Sequence, residues 1–116
     1  QEWGESTKYI FDNADKNSLI LIYGTDYFYS YYLEKFNKNT KNLNIISLTD
    51  EDFINQDILE KNFKYFKKKY KKIYFYSIAI LDIRVNKIRK FMKRSKTYCS
   101  HLEHKNFINV NVYECY

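Results

Sequence analysis

The residues best placed to meet a ligand follow an apolar run, Leu19–Tyr23, and read Gly24-Thr25-Asp26-Tyr27. A glycine there lets the backbone approach a bound group closely, and the free N–H groups of a following helix favour an anion such as a phosphate. In an open parallel sheet, ligands bind outside the carboxyl ends of the strands where the strand order reverses. A later apolar run ending at Leu81 would bring Asp82 and Arg84 to the same crevice. Tyr23, Gly24, Thr25, Asp26, Tyr27, Asp82 and Arg84 therefore form the candidate ligand-binding site. The same residues also have plainer uses, Gly24 as a turn and the two aspartates as helix caps. The tract Tyr23–Tyr32 (YGTDYFYSYY) is rich in aromatics that suit sugar rings or bases, although Tyr29 and Tyr32 fall on a core-facing stripe. Neither GxGxxG nor GxxxxGK[ST] occurs, and no cofactor is expected.

Catalytic chemistry has less to work with. The chain shows no Ser-His-Asp ordering, nucleophile elbow or HExxH, and no catalytic residue is assigned. Cys99, His101, His104 and Cys115 are zinc-type ligands, but Cys-x-His-x-x-His lacks the usual first-pair spacing and Cys115 belongs to a strand. No metal is expected. The two cysteines permit one disulfide in an oxidising compartment, or two unrelated buried thiols.

The stretch Lys61–Lys72 (KNFKYFKKKYKK) offers Lys64, Lys67, Lys68, Lys71 and Lys72 as a basic patch with interleaved aromatics. That composition suits a polyanion or a membrane surface. It equally suits the end of a helix, where cations complement the dipole and a solvated face carries them. The formal charge is +6, yet 17 of the 20 cations are lysine, and Asn, Ile and Tyr number 12, 13 and 13. All four have AT-rich codons, so the charge needs no polyanion to explain it, and nucleic acid is not the expected partner.

These residues require a scaffold, and 116 residues with 45% hydrophobic content can build one α/β domain over residues 1–116. Glu5–Asn13 predicts a short helix. Leu19–Tyr23 and Ile73–Leu81 are apolar on both faces and predict buried central strands. Leu43–Leu48 predicts a shorter strand. Helices are expected over Tyr27–Asn37, Glu51–Tyr70 and Ile83–Tyr98. After a polar loop, Ser100–Asn106, the stretch Phe107–Cys115 alternates apolar and polar residues as a half-exposed edge strand. The β-α-β-α-β-α-β order calls for a small three-layer Rossmann-like (flavodoxin-like) sheet. It would have about four mostly parallel strands in the order 2-1-3-4, with helices on both faces.

Trp3 at the head of a short amphipathic helix, the Tyr9-Ile10 pair, the strand Leu19–Gly24, Tyr31-Tyr32-Leu33 and the closing strand Asn109–Tyr113 together carry a resemblance. The pattern resembles the soluble C-terminal domain of membrane-embedded, lipid-linked-sugar glycosyltransferases of the protein O-mannosyltransferase and aminoarabinose transferase type. Gly4-Glu5 stand where that family usually has an arginine soon after the tryptophan. The resemblance implies an accessory domain on the extracytoplasmic face of a membrane, inactive alone, in a parent that moves a sugar from a polyprenyl phosphate. Its partners would be the transmembrane portion of the same chain, with the acceptor substrate or the membrane surface as further contacts. The absence of a methionine before Gln1 fits a segment of something longer. A stand-alone module for a nucleotide or phosphate ligand is the alternative, and a polyanion or membrane-surface binder the third.

Overall fold

The computed structural model describes residues 2–24, 42–78, 82–107 and 110–116. The helix expected over Tyr27–Asn37 and the aromatic tract after Gly24 lie outside them.

A helix, α1 (Glu2–Asn13), precedes the strand β1 (Ser18–Gly24). Leu19 to Tyr23 are all buried, as a run apolar on both faces requires. β2 (Asn44–Leu48) pairs parallel on one side of β1. β3 (Lys72–Ile78) pairs parallel on the other, in register from Ser18↔Lys72 to Gly24↔Ile78.

Between β2 and β3 the expected single helix is two pieces. A 3-10 turn, Asp50–Phe53, is closed by Thr49 and Asp52 in a reciprocal capping box. Asn55 then starts α2 (Gln56–Lys69) afresh, its side chain accepting from the N–H groups of Asp57 and Ile58. Phe53 anchors the junction in the core, 4.3 Å from the Tyr23 ring and edge-on to Phe75 and Phe91. The third helix, α3 (Asp82–Ser95), ends in a 3-10 turn over Lys96–Tyr98.

The C-terminal part departs most from expectation. Leu102–Phe107 is a strand, β4, and Val110–Cys115 is another, β5. They form an antiparallel hairpin in register from Leu102↔Cys115 to Phe107↔Val110. β5 lies antiparallel against β3, so the sheet has five strands in the order β2-β1-β3-β5-β4, with two parallel and two antiparallel pairs. The expectation of a four-stranded, mostly parallel Rossmann-like sheet in the order 2-1-3-4 is thereby overturned. The physical reason is LEHKNF, a strand whose charged residues suit a sheet edge, where charge discourages pairing with another chain. That composition reads as a loop when polarity alone is weighed.

Helices cover both faces. α2 and α3 enclose Leu19, Leu21, Tyr23, Ile73, Phe75, Phe63, Phe91 and Met92 on one side. α1 brings Ile10 and Phe11, with Ala14 just beyond it, against Ile20, Ile22, Tyr74, Tyr76, Val110 and Val112 on the other. Among the described residues no helix is long and apolar enough to cross a membrane.

Candidate functional site

The carboxyl ends of β1 and β3 lie side by side through the Gly24↔Ile78 pairing, and α3 begins at Asp82. Thr25, Asp26 and Tyr27 lie outside the described residues, as do the side chains of Asp82 and Arg84. Tyr23 is described, and it faces the α2–α3 core rather than an opening. Its ring packs on Phe53 and its hydroxyl donates to Asp50.

The basic patch divides. Lys64 sits over the Tyr98 ring at 5.9 Å, and Lys69 lies 5.6 Å from the Tyr70 ring centroid. Lys67 donates to the carbonyl of Lys71 at 3.2 Å, satisfying a group just past the end of α2. Lys68 and Lys71 are exposed. Lys72 leaves the group: as the first residue of β3 it turns to the α1 face of the sheet.

There it belongs to a cluster that the sequence reading missed. Glu114 is 0% exposed, and its carboxylate accepts from the Tyr9 hydroxyl at 2.6 Å. Lys72 Nζ is 2.9 Å from Glu114 Oε1, an ion contact without the alignment of a hydrogen bond. The ammonium is held between two rings, 4.5 Å from the Tyr74 centroid and 4.3 Å from that of Tyr116. The register makes this convergence unavoidable, because Tyr74 pairs with Glu114 across β3 and β5. Glu103 faces Glu114 across the hairpin, and His101 sits 3.0 Å from the Glu103 carboxylate, which it holds below the usual carboxylate range. Lys105 adds a cation 5.4 Å from the Tyr9 ring. A carboxylate closed off between a phenol and an ammonium is a latch more than a reagent. It ties α1, β3 and β5 together, and the 2.6 Å bond between Ser6 and Tyr76 is a second tie from α1 to β3. The signal in the sequence was parity: Glu114 shares a face with Val110 and Val112.

Cys99 and Cys115 are bonded, with Cα atoms 5.3 Å apart. The bond joins the end of the α3 segment to the last strand. Nearby, Ser100 N–H donates to the Tyr116 carbonyl at 2.9 Å, and Tyr116 N–H to the His101 carbonyl at 3.0 Å. His101 faces Glu103, and His104 stacks on Tyr113 at 4.2 Å, so each histidine has a packing role. Among the described residues no three His, Cys, Asp or Glu side chains converge as metal ligands.

No protein-family model matches this chain, nor does any curated protein or solved structure.

The latch sets an alkaline limit on stability. Burial raises the phenols of Tyr9, Tyr74 and Tyr113 above their ordinary value of 10.0, and for Tyr9 the bond to Glu114 adds to it. Burial alone would lower Lys72. Its contacts with Tyr116, Tyr74 and Glu114 outweigh that and hold the ammonium above 10.5. Each folded-state pKa exceeds its unfolded value, so the stabilisation is complete below the unfolded pKa and is lost as pH rises beyond it. The melting temperature should hold steady between about pH 8 and 9.5 and fall above about pH 10, a buried phenol such as Tyr74 contributing on the order of 1 kcal/mol per pH unit. Thermal melts followed by tyrosinate absorbance check this; a melting temperature flat to about pH 11 would contradict it.

Proposed function

We propose that this chain is an extracytoplasmic accessory domain of a membrane-embedded glycosyltransferase that draws its sugar from a polyprenyl phosphate carrier. The carrying observation is the Cys99–Cys115 bond, since disulfides persist in oxidising compartments and are rare where thiols are kept reduced. The sequence pattern from Trp3 to Tyr113 supplies the family. The domain's part is to dock and position: the Glu114 latch and the disulfide both brace the C-terminal hairpin, giving the membrane portion of the parent a rigid body to work against. Bond making and breaking belong to that membrane portion. The test is to read the gene upstream of the Gln1 codon for hydropathy. About eight or more segments of about 20 apolar residues are expected. A frame that opens near Gln1 and encodes no such segment would contradict the proposal.

A further inference from the structure

On α2 the core-facing residues are Leu59 and Phe63, with Phe66 half-buried beside them. Opposite them, Ile58, Lys61, Tyr65 and Lys68 recur at i, i+3, i+7 and i+10, and all four are exposed. Ile54, just before the helix, extends the stripe. Ile54 is 79% exposed, Ile58 57% and Tyr65 60%, and among the described residues these are the exposed large hydrophobic side chains. The acids of the same helix are engaged elsewhere, for Arg94 of α3 lies 2.5 Å from Asp57 and 2.8 Å from Glu60. Among the described residues Lys61 and Lys68 have no carboxylate within ion-pair distance. The solvent face of α2 is thus apolar and cationic at once.

We propose that this stripe seats the domain on an anionic lipid bilayer. Ile54, Ile58 and Tyr65 enter the boundary between headgroups and acyl chains, while Lys61 and Lys68 reach the lipid phosphates. A soluble polyanion would gain from the lysines and from Tyr65 but nothing from two isoleucines. A protein partner would leave lysines in the centre of its interface, where they are depleted. A bilayer uses both chemistries in the spacing found. The inference goes beyond the proposed function and does not depend on the parent being a transferase.

Flotation of the 116-residue chain with vesicles tests it. Binding is expected to phosphatidylcholine vesicles that contain phosphatidylglycerol and not to phosphatidylcholine alone, and it should weaken as salt rises. The variant Ile58→Ser/Tyr65→Ser should bind about tenfold less or weaker still. The variant Lys61→Gln/Lys68→Gln should lose about 25-fold, about fivefold for each lysine. Both variants should keep the parent's melting temperature, because the altered side chains are exposed. Absence of binding to the anionic vesicles overturns the proposal. Full binding by Ile58→Ser/Tyr65→Ser overturns it too, and equal affinity for inorganic polyphosphate would then make the lysines a polyanion site.

Discussion

Replacing Lys72 with methionine should destabilise the fold by about 3 kcal/mol, the low end of what breaking a buried ion pair costs. The loss comes chiefly from what remains. Glu114 is fully buried, and without the ammonium its carboxylate keeps, among the described residues, the Tyr9 hydroxyl alone. Lys72 retains 20% side-chain exposure, so water can partly replace it, which sets the expectation at the low end. The double variant Lys72→Met/Glu114→Leu should recover most of the loss, since a well-packed apolar pair often matches a buried ion pair. Tyr9→Phe should cost less, about 1–2 kcal/mol, because the lysine stays. Urea unfolding at neutral pH, with an unchanged slope and a shifted midpoint, measures all three. A Lys72→Met midpoint within error of the parent would mean that Glu114 is not held as described.

The second large effect is expected from the disulfide. The bond closes a loop with a sequence separation of 16, for which chain entropy gives about 3 kcal/mol. The loop contains β4 and most of β5, so its loss frees the edge hairpin from the end of α3. Cys115 is itself 1% exposed and lies opposite Ile73 and Leu102, so its sulfur is part of the core as well as of the bond. Cys99→Ser/Cys115→Ser should lower the melting temperature by about 10 °C or more. Dithiothreitol should do nearly the same to the parent, on the slow timescale on which a buried bond is reached. An identical melt with and without reductant would remove the bond from the account.

Particular elements explain what the sequence could and could not convey. Leu19–Tyr23 and the first six residues of Ile73–Leu81 advertise themselves because strands apolar on both faces have few other homes. They form β1 and β3, paired at the centre of the sheet. β4 is illegible for the opposite reason: LEHKNF is nowhere fully buried and carries charge at the edge, so tertiary pairing with β5 makes it a strand. Without it the chain reads as a parallel sheet, since the hairpin is what turns β5 antiparallel to β3. Thr49 is legible as a cap before the acidic Glu51-Asp52 pair, but helical spacing over Glu51–Tyr70 runs straight through Asn55, whose cap splits the segment in two. In the site, sequence adjacency groups Lys72 with Lys64–Lys71, whereas strand parity sends it to the face opposite α2. Glu114 is polar by type, but its position two residues after Val112 places it inward. The crevice residues Thr25, Asp26 and Tyr27, and the side chains of Asp82 and Arg84, lie outside the described residues.

The exposed face of α2 shows how one helix can carry two messages. Leu59 and Phe63 account for the core-facing stripe, while Ile58 and Tyr65 point away from it. Periodicity finds the first stripe readily. The second emerges only when burial is known, because the apolar residues in the sequence do not announce which ones lack a core to enter.

The most direct test of an extracytoplasmic, oxidised domain is the redox state of its two cysteines in the native host. Membranes and soluble fractions would be denatured in a thiol-alkylating reagent without reductant, and the peptides bearing Cys99 and Cys115 then mapped by mass. The two peptides are expected to be joined, and neither should take the label until reductant is added. Recovery of both cysteines as separate, labelled thiols would contradict it.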